Sequence, residues 1–355
     1  PVRGRPHRKI GLTVTMGDRV VSPPAAAPAA DSPGFRLRPK RPRAAAEERL
    51  LCVGVACVDI IDVLDAFPEA DGECRSKARL RRLGGNGANL VCVASQFDSL
   101  CCSLLYATVP EDSDPAAAFV RSNLTANGVQ DLGVLPAVEA GALLPSSHIL
   151  QCPGTRSIIH YRSVPEIPFR LFAERVQQCQ GRQERFTWAH FEGRHVADTR
   201  MMIDSMQGQC TVSVEIEKER PPANVLDLLP GADVIVFSRA FAEGRGFSSG
   251  QDFLKAMCRT EGLKPQAMLV VAWGADGAFG LSEPRSGLVL HSPAKPVLAP
   301  VDTVGAGDTF NAGLIVGLIR GGRLEEAMRL GCAVASAKIQ QQGFAGVGAR
   351  AVQAD

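Results

Sequence analysis

Short apolar runs alternate with longer segments of helical periodicity along the chain from Leu51 onward. The runs that predict strands are Leu51–Val55, Cys101–Ala107, Phe186–Phe191, Cys210–Ile216, Asp233–Ser238 and Met268–Trp273. The segments that predict helices are Asn86–Phe97, Pro115–Asn127, Ala197–Met206, Gly250–Cys258 and Asp308–Ile319. This alternation is typical of βα units, and unbroken apolar strands indicate a sheet covered on both faces. The sequence therefore predicts an α/β fold with a doubly wound, mainly parallel sheet sandwiched by helices.

Two stretches, near residues 60–80 and 148–162, depart from this alternation. Their strand candidates are Ile60–Leu64, the segment before Arg79, His148–Gln151 and Arg156–Arg162, the last two joined by a Pro-Gly turn. We expect them to form a small β-sheet that stands off the main one. Such a flap would close over a ligand or pair with another subunit.

The first 49 residues differ in composition from the rest of the 355-residue chain. They hold 11 Lys and Arg against 4 Asp and Glu, together with 8 of the 24 prolines, whereas the remainder is mildly acidic. Such a segment buries too little apolar surface to fold, so residues 1–49 are expected to be a disordered basic extension. A gene-model artefact, a targeting peptide and a nucleic-acid contact are the alternatives. Residues 50–350 are expected to form the functional domain.

Composition and motif spacing exclude several classes of protein. No apolar run reaches the ~20 residues that a membrane span needs. The 11 cysteines include no CxxC pair, which argues against a disulfide framework or a structural zinc site and favours a reducing, cytoplasmic location. The chain lacks a Gly-Lys dipeptide, which excludes a Walker A loop, and it lacks HExxH-type metal spacing. We therefore expect neither a membrane nor a nucleic-acid partner.

The most informative motif is Asp302–Asn311, which runs into an apolar helix. Gly305 and Gly307 permit a tight turn whose backbone N–H groups, at a helix N-terminus, can bind a phosphate. Asp308 could accept the proton of an attacking hydroxyl. Its ordinary pKa of ~3.9 makes it a weak base, so positioning would supply much of the catalysis. The alternative is a Gly-rich turn in which Asp308 merely begins the helix.

A second group of polar residues opens the helix predicted at Asn86. Asn86 and Asn89 are three residues apart, so both lie on one helical face and can offer donors and acceptors to a polyol. Asp59 follows the first strand and could accept two sugar hydroxyls. The alternatives are helix capping for the asparagines and an ordinary loop carboxylate for Asp59.

Two further features could contact a nucleotide. Arg156 lies on the predicted hairpin, where its guanidinium could fold onto a phosphate, although a solvated strand arginine is the alternative. Gly274, Ala275, Asp276 and Gly277 follow an apolar strand, at the edge where open α/β sheets bind ligands, with a plain β-turn as the alternative.

Together, the Gly84–Asn89 and Asp302–Phe310 motifs resemble those of the ribokinase-like (PfkB) carbohydrate kinases, over about Leu51 to Val347. The stretches His190–Arg194 and Val212–Lys218 narrow the resemblance to the ketohexokinase branch. The resemblance implies MgATP-dependent phosphorylation of D-fructose at O1, with K⁺ as an activator and a homodimer formed through the flap. A sister kinase for another sugar or a nucleoside, and a non-catalytic sugar or nucleotide sensor, are the alternatives.

The resemblance also implies roles for individual residues. By this resemblance, Asp308 is the general base, and the anion hole consists of Gly305, Ala306 and Gly307. The sugar is held by Asp59, Gly85, Asn86 and Asn89. The residues that join the anion hole in binding ATP are Arg156, Gly274, Ala275, Asp276, Gly277, Thr303, Asn311 and Cys332. The sequence departs from the family pattern at Gly87, which loosens the start of the helix, and at Ala275 and Arg239 near the nucleotide.

Overall fold

The computed structural model describes residues 48–353, except 99, 112, 140, 154 and 218–222. The predicted extension at residues 1–49 therefore lies almost entirely outside the described residues. Within the described part, no helix is both long enough and apolar enough to cross a bilayer.

The strands and helices follow one another in the expected alternation. The strands are β1 (Glu48–Val53), β2 (Cys57–Val63), β3 (Ala78–Gly84), β4 (Leu100–Leu105), β5 (Gln130–Asp131), β6 (Ser146–Cys152), β7 (Thr155–Tyr161), β8 (Trp188–Glu192), β9 (Thr211–Ile216), β10 (Val234–Ser238), β11 (Met268–Ala272), β12 (Ala278–Leu281) and β13 (Leu290–Ser292). The helices are α1 (Asn86–Ala94), α2 (Pro115–Ala126), α3 (Phe169–Gly181), α4 (Val196–Met206), α5 (Arg239–Gly244), α6 (Gly250–Met257), α7 (Ala306–Ile319), α8 (Leu324–Ile339) and α9 (Val347–Gln353).

The main sheet has the strand order β13-β12-β11-β10-β9-β8-β1-β4-β5. In this spatial order, all neighbouring strands from β11 to β5 pair parallel, whereas β12 and β13 pair antiparallel at one edge of the sheet. The strands β8, β10 and β11 are buried nearly throughout, because helices cover both faces. The predicted doubly wound, mainly parallel sheet is confirmed.

Four strands form a separate small sheet in the order β3-β2-β6-β7, which is called the small sheet below. β6 and β7 pair antiparallel as the predicted hairpin, and β2 pairs parallel with β6. The third strand was expected before Arg79, but β3 begins at Ala78 and continues to Gly84. This difference is important, because the added length carries β3 directly into the turn before α1.

Helix α7 lies in the interior and points its N-terminus at the edge where the parallel strands end. Eleven of its 14 residues are buried, from Asp308 to Leu318, so the helix is apolar on every side. Small residues let α8 approach closely: a Cβ at Gly313 would lie 2.8 Å from the Cα of Gly331, and one at Gly317 would lie 2.7 Å from the Cα of Ala327. The sequence analysis did not predict α8, nor the helices α3, α5 and α9.

Candidate active site

Two helices begin at the carboxyl edge of the main sheet, each after a glycine in the left-handed region. Gly85 precedes α1 with φ 96°, and Gly305 precedes α7 with φ 79°. A Cβ at Gly85 would lie 2.4 Å from the carbonyl oxygen of Val55, and one at Gly305 would lie 2.5 Å from the Phe344 ring. Both turns therefore require glycine for conformation and for space.

The fold joins the two predicted motifs through one hydrogen bond. Asn89 Nδ2 donates to Asp308 Oδ2 at 2.7 Å, across 219 positions of sequence. Both side chains are buried, with Asn89 5 % and Asp308 8 % exposed. Asn86 is only half-buried on the first turn of α1. The carboxylate and the two asparagines therefore lie at one place in the fold.

The surroundings of Asp308 overturn the expectation of an ordinary pKa. Burial raises the pKa of its carboxyl group to about 8; the bond from Asn89 opposes the rise, whereas Glu217, Glu192 and Asp59 add to it. The ionised form of a buried carboxyl is poorly solvated, and nearby negative charges disfavour it further. A pKa near neutrality suits a general base better than the ordinary value does.

Several amides at the start of α7 have no hydrogen-bond acceptor among the described residues. These are the N–H groups of Gly305, Gly307 and Asp308, whereas Ala306 N–H donates to the Thr303 carbonyl at 3.4 Å. A Cβ at Gly307 would meet no heavy atom within 4 Å, so open space adjoins these amides. Unpaired N–H groups at a helix N-terminus attract anions. The expected anion hole is therefore available, although the Ala306 amide takes part in the turn itself.

The start of α1 looks similar but is already occupied by a carboxylate of the chain. Glu192 Oε1, at the end of β8, accepts the N–H groups of Val55 and Gly87, both at 2.8 Å. Gly87 was expected to loosen the helix, yet a Cβ there would lie 3.2 Å from both Glu192 Oε1 and the Cα of Gly54. Gly87 thus makes room for the carboxylate, and its role is packing rather than looseness.

Asp59 is buried on β2, where it faces the same region as Asp308. A Cβ at Gly84 would lie 2.2 Å from its carboxyl group, so the neighbouring strand is shaped around it. The Cys57 thiol donates to Asp59 Oδ1 at 3.5 Å. Burial raises the pKa of Asp59, and the charge of Arg82 opposes that rise. The placement agrees with the predicted sugar-side carboxylate.

Arg156 connects the small sheet to the turn before α7. It is exposed on β7, and its Nη1 donates to Thr303 Oγ1 at 2.8 Å. Asn311, by contrast, lies inside the protein at 2 % exposure, and its amide donates to Glu215 Oε1 at 2.7 Å. The predicted direct contact of Asn311 with a nucleotide is therefore corrected to an internal hydrogen bond, because its amide already has a buried partner.

The predicted nucleotide turn follows β11 at the same edge of the sheet. Gly274, Ala275 and Asp276 are exposed, and the guanidinium of Arg239, the first residue of α5, lies 5.6 Å from the Trp273 ring centroid. Gly277 has φ 92°, and a Cβ there would lie 2.0 Å from the Ser292 carbonyl oxygen. Cys332, on α8, is buried, and its thiol lies 3.6 Å from that same carbonyl oxygen. Gly277 and Cys332 therefore both lie against the carbonyl group of Ser292, at the end of β13.

Sequence reasoning missed three charged residues that shape the site. Glu192 fills the start of α1, and Arg82 with Lys338 holds Asp302, two residues before the turn into α7. Each left a weak signal in the sequence. Glu192 ends a buried strand, Lys338 is isolated in an apolar helix, and Arg82 directly precedes the Leu-Gly-Gly turn.

A ribokinase-like α/β fold, with free amides beside a buried carboxylate at a helix start, defines a class of phosphoryl-transferring enzymes. Residues 200–347 match the model of the pfkB family carbohydrate kinases. The chain is 31% identical over 309 residues to mouse ketohexokinase, covering 85% of this chain and 99% of that protein. The chain therefore belongs to the pfkB family of carbohydrate kinases, phosphotransferases that act on sugars and use ATP.

Solved structures support the fold at lower identity. Adenosine kinase from Sinorhizobium meliloti superimposes with a TM-score of 0.71 at 19% identity, covering 87% of this chain and all (100%) of that chain. Ribokinase from Arabidopsis thaliana, solved with ribose and ATP, superimposes with a TM-score of 0.66 at 18% identity, covering 87% and 98%.

Proposed function

We propose that this enzyme transfers the γ-phosphoryl group of ATP to O1 of D-fructose and releases fructose 1-phosphate. The observation that supports this most is the buried Asn89–Asp308 hydrogen bond beside the unpaired amides of α7. A base and an anion-binding turn within one helical turn of each other suit attack by a hydroxyl on a phosphoryl group. The choice of fructose follows the similarity to mouse ketohexokinase over nearly the whole of that protein.

On the sugar side, Asp59, Asn86 and Asn89 hold the hydroxyl groups of fructose, and Gly85 brings the backbone close to the ring. Asp308 then takes the proton from O1. The raised pKa of Asp308 favours this transfer near neutral pH, because the carboxylate gains a proton readily. The small sheet covers the sugar and excludes water that would otherwise hydrolyse ATP.

On the phosphate side, the free amides of Gly305, Gly307 and Asp308 stabilise the negative charge of the phosphoryl group in transit. Arg156 reaches the ATP phosphates, with Thr303 orienting its guanidinium. Residues 274–277 and Cys332 flank the nucleotide. Mg²⁺ would neutralise charge on the phosphates, bound by their oxygens and water, which suits a cation that sheds water reluctantly. No group of His, Cys, Asp or Glu able to hold a metal occurs among the described residues.

K⁺ would bind near the anion hole as an activator, and two subunits would pair through the small sheet. The strand β7 of that sheet is exposed along its length: Ile159 and Tyr161, 63 % and 49 % exposed, lie on one face, and Ile158, 50 % exposed, lies on the other. Exposed apolar side chains of this kind are suited to burial against a second copy. A cytoplasmic location stays a prediction from the cysteine content.

The test is a coupled ADP-release assay over a panel of ketohexoses, with and without K⁺, followed by ³¹P NMR of the product. Fructose should give the highest kcat/KM, and the phosphorus signal should couple to the protons of C1. Asp308→Asn is the control, since it should remove the sugar-dependent release of ADP. A product phosphorylated at O6 would contradict the proposed position of transfer.

A second candidate is another pfkB-family sugar or nucleoside kinase, since the fold also superimposes on the Sinorhizobium meliloti adenosine kinase with a TM-score of 0.71. Such an enzyme would share Asp308 and the anion hole and would differ only in its acceptor. Ribose and adenosine in the same assay separate the two candidates. If the enzyme released no ADP with ribose, adenosine or any ketohexose, the result would favour the hypothesis of a non-catalytic sugar or nucleotide sensor.

A further inference from the structure

Asp302 lies just before the turn into α7, and its buried carboxylate holds that turn. Oδ1 accepts the N–H of Val304 at 3.0 Å, and Oδ2 accepts the N–H of Gly343 at 3.3 Å. Oδ2 also accepts Arg82 Nη1 at 2.7 Å and lies 2.9 Å from Lys338 Nζ. The position of this one carboxylate therefore sets the backbone path that leads to the anion-hole amides.

The two cations on Asp302 come from different parts of the molecule. Lys338 lies on α8 at 0 % exposure and also donates to the Asp302 carbonyl at 2.9 Å. Arg82 lies on β3 of the small sheet, directly opposite Asp59 in the β2–β3 pairing. Side chains opposite each other in a ladder share a face of the sheet, so Arg82 and Asp59 are neighbours. One arginine thus contacts the carboxylate of the anion-hole turn and lies beside the sugar-side carboxylate.

The guanidinium of Arg82 is only partly used within the chain. Its Nε and Nη2 are buried and have no hydrogen-bond partner among the described residues. Buried side-chain donors in folded proteins are nearly always paired, so two unpaired ones need a reason beyond stabilising the fold.

We propose that Arg82 is a positioning residue that couples the binding of sugar at Asp59 to the geometry of the anion hole. The inference rests on the proposed function of the site. Sugar bound between Asp59 and Asn89 draws the small sheet toward the main sheet. Arg82 then presses on Asp302, and the amides that follow reach their phosphate-binding positions. Nucleotide binding is therefore strengthened by the acceptor, which limits hydrolysis of ATP in its absence.

The experiment measures the affinity of the full-length enzyme for the β,γ-imido analogue of ATP, by calorimetry, with and without saturating fructose. The ratio of the two affinities is the coupling factor, and a value of about tenfold is expected for the wild type. Arg82→Met should bring it to within about twofold of one, with a loss of kcat, and Arg82→Lys should restore part of it because the charge remains.

Arg81→Met is the matched control, since Arg81 is the preceding residue of β3, exposed and stacked 4.3 Å over the Phe119 ring. It should keep the wild-type coupling factor. The ratio compares two measurements on the same variant, so a general loss of stability does not imitate the effect. Wild-type coupling in both Arg82 variants, or a coupling factor of one in the wild type, would overturn the inference. A wild type that phosphorylates no sugar would instead overturn the proposed function.

Discussion

The starts of α1 and α7 share several features but differ in what binds their free amides. Each follows a glycine of positive φ, Gly85 or Gly305, neither has a side-chain cap, and both open at the carboxyl edge of the main sheet. At α1, Glu192 fills the position where an anion would lie and accepts two N–H groups. At α7, the amides of Gly307 and Asp308 have no acceptor among the described residues.

The difference shows that a glycine turn before a helix does not by itself define a phosphate site. The two turns differ because of a residue that is distant in sequence. Glu192, the last residue of β8, lies 105 positions after Gly87, and its carboxylate accepts a hydrogen bond from the Gly87 N–H group. An internal carboxylate makes the first turn a fixed part of the scaffold, whereas free amides leave the second turn available to a ligand. Four predictions test this difference.

The largest effect is expected from Asp308→Asn. The amide cannot take the proton of the sugar hydroxyl, so kcat should fall by about 100-fold or more, the usual contribution of a general base. Binding of the nucleotide should be largely retained, because the backbone amides remain. ADP release and calorimetry with an ATP analogue measure the two quantities. A variant with a near-normal rate would remove Asp308 from the role of base.

The next effect comes from placing alanine in both first turns. Gly307→Ala adds a methyl group where no heavy atom lies within 4 Å, so stability should be kept or raised by up to ~1 kcal/mol, while kcat/KM should fall at least about tenfold because the methyl intrudes on the phosphate space.

Gly87→Ala should do the reverse, since its methyl would lie 3.0 Å from Leu104 Cδ1 and 3.2 Å from Glu192 Oε1. The expected cost is about 1–3 kcal/mol of stability, typical of overpacking. Thermal unfolding measures the stability of both variants, and steady-state kinetics measures their kcat/KM. Equal effects in the two variants would contradict the comparison.

A smaller effect is expected when the carboxylate at α1 is removed. Glu192→Ala leaves the buried N–H groups of Val55 and Gly87 without their acceptor, which should lower the free energy of unfolding by about 1–3 kcal/mol. Glu192→Gln keeps an acceptor oxygen and should cost less. Denaturant unfolding measures both. If the alanine variant were as stable as the glutamine variant, the two hydrogen bonds would not hold the turn.

The smallest effect is a pH dependence that originates at α7. Only the ionised form of Asp308 accepts a proton, so kcat/KM of the free enzyme should rise as pH approaches its pKa of about 8. A carboxyl whose pKa is higher in the folded chain stabilises the fold at low pH, and this stabilisation is lost as pH rises from ~3.9 through the folded value.

Asp308→Asn removes that loss. The free energy of unfolding of Asp308→Asn minus that of the wild type should therefore increase by at least ~1 kcal/mol, about the value of one pKa unit, between about pH 5 and about pH 9. Thermal unfolding across this range measures it, with Gln96→Ala as a control that removes a partly buried amide bonded only to backbone groups. A constant margin would show that the Asp308 pKa is not raised.

The sequence predicted much of the fold and the identity of the central site residues. Six strands of the main sheet and five helices were expected close to where they occur, since apolar periodicity reflects which face of an element is buried. The analysis left out α3, α5, α8 and α9; in α8, Ala327 and Gly331 pack against α7, a contact that depends on the neighbouring helix and not on the sequence pattern.

Local sequence is enough to predict the alternation of strand and helix, the glycine turns at 85 and 305, and a carboxylate at 308 within the first turn of a helix. The fold was needed to show which turn stays open, that Asn89 meets Asp308, and that burial raises the pKa of that carboxyl. The physical reason is that backbone conformation depends on neighbouring residues, whereas desolvation and ion pairing depend on groups that the fold brings together from distant parts of the chain.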